Sequence, residues 1–189
     1  MPTSAATETK FDEQLLDLSS RIDAYEGYSH AHGLQIAEIA ESIGQRLGMS
    51  PHDRYFMHHA ALLHDVGEFV MKRPYLAESR VLTEVERLDM QRHSVIGEQD
   101  VAKRGLPRSV QLLVRWHHEW WNGLGYPDRL IGEQIPLAAR IIRLADTYSA
   151  ITSDRPNRRA ASPDTAKQYL REFAGLEFDP LVVKTFVEI

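Results

Sequence analysis

Seven histidines and aspartates spread along the chain are candidate metal ligands. They are His32, His64, Asp65, His93, His117, His118 and Asp146. Imidazole and carboxylate ligands suit iron, manganese, zinc or nickel, and helical bundles often build such sites in their cores from facing helices. The chain has no cysteine, which excludes thiolate ligands, disulfides and a cysteine nucleophile. The residue types therefore indicate a metal site made of nitrogen and oxygen donors.

The consecutive pair His64-Asp65 can serve two metal ions. Neighbouring positions of a helix point about 100° apart, because the helix has 3.6 residues per turn. The imidazole can then bind one ion while the carboxylate bridges towards a second. Two ions held about 3.5–4 Å apart can share a hydroxide aimed at phosphorus. The pair therefore predicts a two-metal site of the kind that hydrolyses phosphoesters.

Helix signals surround the candidate ligands. An apolar stripe with helical spacing follows His32. A further helix is predicted to start at Ser50-Pro51, to run to about Asp65 and to stop at Gly67. A capping box at Thr83 opens another. These elements place most of the ligands at helix ends.

Loops and further helices complete the interpretation. Residues 69–82 and 118–135 are rich in proline, glycine or charge and predict two loops. Helices are predicted to begin at Pro136, Pro163 and Pro180. Alternating apolar and polar residues, which strands require, are essentially missing. The sequence therefore predicts an all-α, single-domain helical bundle.

Composition narrows the class of protein. The chain has 189 residues, of which 43% are hydrophobic, so it can build one core without covalent staples. Its 22 basic and 27 acidic residues give a net charge of −5, which argues against a duplex nucleic acid partner. No apolar run is long enough to span a membrane, and the polar start suggests no secretion signal, so we expect a cytoplasmic domain. We expect a disordered tail over residues 1–11 and the domain over residues 12–189.

Several motifs carry a resemblance to a known family. They include HDVG at 64–67, HSVIG at 93–97, HHEWWNGLGYP at 117–127 and TSDRP at 152–156. The chain resembles the HD-GYP subgroup of the HD-domain metal-dependent phosphohydrolases, from about Tyr28 to its C-terminus. The HHExxxGxGYP stretch is the most specific part. The resemblance implies a helical bundle of the HD-domain type with a long GYP loop.

The resemblance also implies roles for individual residues. Asp65 would bridge two divalent metal ions, most often iron or manganese in this family, with zinc or nickel as alternatives. One ion would be completed by three histidines, and the other by two histidines and an aspartate. These sets are His93, His117 and His118 for the first ion, and His32, His64 and Asp146 for the second. Members of the family hydrolyse cyclic di-GMP, so Arg155 and Arg158 would hold substrate phosphate, and Tyr126 would line the pocket or a partner surface.

Three positions depart from the family pattern. Glu68 stands where the family usually has a lysine that contacts phosphate, so this acid either turns away, binds a metal or belongs to a variant catalytic site. Tyr28 stands where some members have a glutamate for a third metal, which favours two metals. Ser149 replaces a customary aspartate. Two alternatives to cyclic di-GMP hydrolysis therefore stay open: hydrolysis of another nucleotide or phosphoester, and a weakly active signalling protein that binds cyclic di-GMP or a partner through its GYP loop.

Other chemically suggestive residues have simpler interpretations. Four further histidines are expected to have no role in the site; they are His30, His52, His58 and His59. Glu119 either orients a ligand imidazole or is a solvated loop acid. The tryptophans at 116, 120 and 121 either stack on guanine or, as we favour, pin the loop to the bundle.

Overall fold

The structure is a computed structural model that describes residues 4–78, 80–154 and 159–189, with side chains from residue 11 onward except at 77. Within these ranges the chain forms helices and no strands, which confirms the predicted all-α fold. The α-helices are α1 (Ser4–Tyr25), α2 (His32–Arg46), α3 (Pro51–Leu63), α4 (Val66–Met71), α5 (Glu84–Met90), α6 (His93–Lys103), α7 (Arg108–Trp116), α8 (Leu137–Thr152), α9 (Pro163–Glu172) and α10 (Pro180–Val187). Short 3₁₀ turns cover Pro74–Ala77 and Gly132–Gln134.

Helix starts follow the local sequence chemistry. The hydroxyl of Ser50 accepts a hydrogen bond from the Asp53 amide at 3.1 Å, which caps α3. Thr83 and Glu86 form the predicted capping box at the start of α5. Ser162 caps α9 in the same way as Ser50 caps α3. Capping chemistry in the sequence therefore located these three helix starts.

The core lies between α2, α3, α7 and α8. The stripe after His32 is buried as predicted at Ile36, Ala40 and Ile43, and α2 packs against α3 and α8. In α8, Ile141 and its neighbours towards the bundle are fully buried. This packing brings the start of α2, the end of α3 and the middle of α8 to one place. None of the described helices is both long and apolar enough to cross a bilayer.

Two helix boundaries differ from the predictions. The chain is helical from Ser4, where we predicted a disordered tail; residues such as Ala5, Ala6 and Glu8 are strong helix formers that extend the packed part of α1. The predicted stop at Gly67 is also wrong, because α3 ends at Leu63 and Gly67 lies inside α4, which runs on into the predicted loop. Where the domain begins stays a prediction.

The reason for glycine at position 67 is a close helix contact. A Cβ atom there would lie 1.9 Å from the carbonyl oxygen of His93 and 2.9 Å from the amide nitrogen of Gly97. Since only glycine lets the backbones of α4 and α6 approach this closely, Gly67 serves packing and not helix termination.

Candidate metal centre

The seven candidate ligands converge into two adjoining clusters. One contains Asp65, His93, His117 and His118, and the other contains His32, His64 and Asp146. Within each cluster the ligand atoms lie within 4.8 Å of one another. The fold therefore brings together the residues that the sequence grouped, although their roles as ligands stay a prediction.

Asp65 lies between the two clusters. Its Oδ1 is 3.3 Å from Nε2 of His93 and 3.5 Å from Nε2 of His117, whereas its Oδ2 is 3.1 Å from Nε2 of His64. Each carboxylate oxygen thus faces a different set of imidazoles. This is the arrangement that a bridging carboxylate needs.

Three of the histidines are oriented by the helices that end beside them. Nδ1 of His64 lies 2.9 Å from the carbonyl oxygen three residues earlier, and the same contact measures 2.7 Å for His93 and for His117. These carbonyls belong to the last turns of α3, α5 and α7, where intrahelical donors are missing. A carbonyl only accepts, so each Nδ1 carries a proton, and in the neutral form of each ring Nε2 keeps a free lone pair.

The ring of His32 is oriented by two side chains and not by a backbone carbonyl. Nδ1 of His32 is 2.9 Å from Oγ of Ser149, and this hydroxyl donates its proton to Oε1 of Gln35 at 2.7 Å. Because that proton is used, the hydroxyl accepts from His32. His32 therefore also presents a free Nε2, which lies 3.7 Å from Oδ1 of Asp146.

These donor atoms fit a metal cation. Nε2 of His93 and Nε2 of His117 are only 3.3 Å apart, and both face Oδ1 of Asp65, which is buried without a hydrogen-bond partner among the described residues. Three electron pairs thus converge with no hydrogen between them, an arrangement that a cation stabilises. Nitrogen and oxygen donors without thiolate suit iron, manganese or zinc.

Burial and charge set the protonation states. Burial lowers the pKa of His93 to about 4, and burial with the charges of His117 and His93 lowers the pKa of His118 well below its usual value. Burial also acts against charge on His64, yet the carboxylates of Asp65 and Asp146 outweigh it and raise the pKa of His64 well above 6.5. In the metal-free site the proton therefore resides on His64, while His93 and His118 are neutral and ready to bind a metal.

Two glutamate side chains with raised pKa values lie beside the clusters. Burial and the charge of Asp65 raise the pKa of Glu68 to about 8, and its Oε1 lies 3.9 Å from Nδ1 of His93. Burial and the same charge raise the pKa of Glu26 well above its usual range, and one of its oxygens is buried without a described partner. Glu68 thus faces the site and does not turn away from it, so metal binding and a variant catalytic site both stay open for this residue. The sequence analysis missed Glu26. It lies in the turn after α1, where Gly27 has a φ of 82°, and helical spacing does not show which way a side chain in a turn points.

A cleft of about 600 Å³ opens onto the clusters. Asp65, Glu68 and Asp146 line it, together with His118 and Tyr126. The Tyr126 ring stacks on His118 with centroids 4.8 Å apart, so this tyrosine of the GYP motif does line the pocket. Two predicted phosphate-binding residues, Arg155 and Arg158, lie outside the described residues. Sequence reasoning missed Arg143, which lines the same cleft from α8.

Glu119 has a role that neither sequence interpretation anticipated. Its side chain is buried, and its carboxylate accepts the backbone amides of Asp128 at 2.6 Å and Leu130 at 3.1 Å. It therefore holds the GYP loop, which follows His118, in a fixed fold. Trp116 contributes to this, since its Nε1 donates to Asp128 at 2.7 Å, which supports the interpretation that the tryptophans pin the loop.

The remaining histidines lie outside the two clusters. Nε2 of His30 is 3.1 Å from the hydroxyl of Ser153, and Nε2 of His59 is 3.0 Å from Oδ1 of Asp12. Neither these nor His52 and His58 belong to a described group of metal-ligating atoms. Tyr28, at the position considered for a third-metal ligand, stacks on His32 with ring centroids 3.8 Å apart.

Comparison with known proteins establishes the family. The family described as HD domain matches residues 12–182, so the chain belongs to the HD domain family, as the sequence predicted. It is 35% identical over 179 residues to the cyclic di-GMP phosphodiesterase response regulator RpfG of Xanthomonas campestris pv. campestris, covering 93% of this chain and 47% of that protein. A cyclic di-GMP phosphodiesterase of Vibrio cholerae is 33% identical, covering 99% of this chain and 41% of that protein.

A solved structure shares the fold. The cyclic GMP-AMP specific phosphodiesterase V-cGAP3 of V. cholerae superposes with a TM-score of 0.75 at 21% identity, covering 93% of this chain and 47% of that chain. This likeness concerns the fold. The chain spans less than half the length of the two curated relatives.

Proposed function

We propose that this domain is a metal-dependent phosphodiesterase that hydrolyses cyclic dinucleotides, with cyclic di-GMP as its preferred substrate. The observation that carries the proposal is the carboxylate of Asp65, whose two oxygens face two histidine clusters at the floor of an open cleft. Relatives at 33–35% identity are named cyclic di-GMP phosphodiesterases, which supports this substrate.

The ligand assignment follows the two clusters. Asp65, His93, His117 and His118 hold one divalent ion, and His32, His64 and Asp146 hold the other, with Asp65 shared. Iron or manganese is the metal that we propose, with zinc or nickel as alternatives. Such ions would supply an acidified water as the nucleophile and positive charge to offset that of the phosphate.

The protein side chains then have separate tasks. Carbonyl groups at helix ends and the hydroxyl of Ser149 fix the orientation of the imidazole rings. The rings therefore need not rotate to present Nε2 to a metal ion. Tyr126, stacked on His118, forms one wall of the cleft. Burial and the charge of Asp65 raise the pKa of Glu68 to about 8, so this side chain is protonated at neutral pH in the metal-free site. We also propose that Arg155 and Arg158 contact substrate phosphate.

The two alternatives have their own support. Hydrolysis of a different cyclic dinucleotide is supported by a relative from V. cholerae named 3′3′-cGAMP-specific phosphodiesterase 3, which is 32% identical over 84% of this chain and 35% of that protein. A weakly active binding protein is favoured by Glu68, which faces the site at the position where the family usually has a lysine that contacts phosphate.

One experiment separates these functions. Anaerobically purified protein is assayed for metal content and for hydrolysis of cyclic di-GMP and 3′3′-cGAMP with added Mn²⁺ or Fe²⁺. We expect about two metals per chain, as two-metal enzymes require, with faster turnover of cyclic di-GMP. Asp65→Asn should lose both metal and activity. The matched control is Asp12→Asn, since Asp12 also contacts a histidine, His59, but lies away from the clusters.

The outcomes discriminate between the candidates. Preferred turnover of 3′3′-cGAMP would move the substrate to the first alternative. Two metals without turnover of either compound would favour the binding protein. Absence of metal in protein purified and reconstituted without oxygen would refute the metal centre itself.

A further inference from the structure

Arg143 lies among the candidate metal ligands. Its Nη1 is 3.2 Å from Nδ1 of His118 and 3.4 Å from Oδ2 of Asp146, and its Nη2 donates to the carboxylate of Glu177. The side chain is 15% exposed, and Glu177 is buried. An arginine this close to two prospective ligands of cations requires an explanation.

The charge balance of the cleft makes Arg143 important. Among the described residues that line the cleft, it is the one lysine or arginine, whereas Asp65, Glu68, Asp146 and Glu177 supply carboxyl groups. A phosphodiester brings further negative charge to this surface. The lysine that the HD-GYP resemblance leads one to expect at position 68 is missing, because Glu68 occupies it.

Metal binding changes the partners of Arg143. A neutral imidazole has one lone pair and one N–H, so His118 cannot give its lone pair to a metal and also accept a hydrogen bond from Arg143. If the metal uses Nε2, then Nδ1 carries the hydrogen; if the metal uses Nδ1, the lone pair is taken. In both cases Nη1 loses its acceptor on His118 and keeps the 3.4 Å contact to Asp146, so one of its two N–H groups becomes available to another anion.

The surroundings already contain unused polar atoms. Nε of Arg143 and Oγ1 of Thr147 are buried and have no hydrogen-bond partner among the described residues. Thr147 lies one helical turn further along α8 and also lines the cleft. Unpartnered buried polar atoms are rare in folded proteins and indicate a ligand or water that completes them. Their position on one face of α8 points to a polar ligand in the cleft.

We propose that Arg143 binds a non-bridging phosphate oxygen of the cyclic dinucleotide and supplies the cation that position 68 lacks. Glu177 holds the guanidinium in place through Nη2, which leaves Nη1 and Nε for the phosphate, with the hydroxyl of Thr147 beside them. Guanidinium suits this task because it stays charged and presents several fixed donors. The inference rests on the proposed function, since it assumes a cyclic dinucleotide as substrate.

The test removes the positive charge at position 143 and then introduces one at position 68. Arg143→Ala should weaken binding of the phosphorothioate analogue of cyclic di-GMP about 10- to 100-fold and raise KM for cyclic di-GMP, with metal content unchanged. Adding Glu68→Lys to Arg143→Ala should restore most of the lost affinity, because it returns a cation to the same cleft. The control is Arg140→Ala: Arg140 is also largely buried on α8 and paired with an acid, Asp179, but it does not line the cleft.

A further variant protects the test against misfolding. Arg143→Ala leaves the buried carboxylate of Glu177 without its partner, which can destabilise the fold. The double variant Arg143→Met/Glu177→Gln removes the ion pair as a unit and should show the same loss of analogue binding.

The results separate the two proposals. Wild-type analogue affinity in the Arg143 variants, loss of metal together with affinity, or failure of Glu68→Lys to restore binding would each overturn the role of Arg143. Absence of analogue binding and cyclic dinucleotide turnover in the metal-loaded wild-type protein would overturn the proposed function instead.

Discussion

Replacing Ser149 with alanine should weaken one metal site and spare the other. The hydroxyl of Ser149 accepts from Nδ1 of His32 and donates to Gln35, and this relay is the described side-chain contact that fixes the tautomer of His32. Alanine leaves the His32 ring, which is 1% exposed, with a buried N–H that has lost its acceptor. The cluster of Asp65, His93, His117 and His118 is unaffected, because His93 and His117 are oriented by backbone carbonyls.

The expected magnitude follows from the geometry. Removal of a group that orients a metal-bound histidine typically lowers metal affinity about 10- to 100-fold. This corresponds to about 1.4–2.7 kcal/mol. The unpaired donor of His32 should also lower the free energy of unfolding of the metal-free protein by about 1–3 kcal/mol.

The assay measures metal content per chain after equilibration with a graded series of chelator concentrations, with urea unfolding alongside. Relative to wild type, Ser149→Ala should release one of its two ions at a chelator concentration about 10- to 100-fold lower and the other at an unchanged concentration, since only one of two sites is weakened. Ser149→Asp restores an acceptor for His32 and should keep both ions. Ser94→Ala is the matched control, because the Ser94 hydroxyl is buried beside a ligand but donates to the backbone carbonyl of Gln91. Equal retention of both ions by Ser149→Ala and wild type would refute the orienting role of the hydroxyl.

Three further predictions follow from the packing and charges. Gly67→Ala should destabilise the fold by about 3 kcal/mol, because the added Cβ would collide with the carbonyl oxygen of His93, a backbone atom that cannot rotate away. Urea unfolding measures this loss, and unchanged stability would contradict the close packing of α4 on α6. Glu119→Gln should lower the free energy of unfolding by about 1–3 kcal/mol, because an amide brings N–H groups towards buried backbone donors; an unchanged melting temperature would contradict this. Metal uptake should release a proton from His64, so metal affinity should rise with pH up to the raised pKa of His64 and level off above it. Calorimetry in buffers of different ionisation enthalpy measures this release, and its absence would show that His64 is neutral without metal.

The sequence predicted the parts of the site that depend on residue type and local structure. Local patterns predicted His64 and His117 near the ends of helices and His93 on a helix. The convergence of the ligands came from the family resemblance, since spacing along the chain does not say which helices face each other. The structure supplies the packing of α2 against α3 and α8, which brings His32 to His64.

The residues that were missed act through tertiary contacts. Glu119 looks like a loop acid in the sequence, but its function depends on amides nine and eleven positions later. Arg143 sits in an apolar helix among residues typical of a core, and its role follows from Glu177, which is 34 residues away. Gly67 was assigned to a helix stop because glycine is common there, whereas the contact that requires it comes from α6. Local patterns cannot carry information of this kind.

The two clusters differ in how they are supported, and this predicts which metal is lost first. His93 and His117 are oriented by carbonyls only three residues away, so helix formation alone prepares those rings. His32 depends on Ser149, 117 residues away, and therefore on the docking of α2 against α8. Any perturbation that loosens this docking disturbs the second site before the first. Mild denaturant below the unfolding transition should thus release one ion per chain ahead of the other, and simultaneous release of both would show that the two sites share one structural unit.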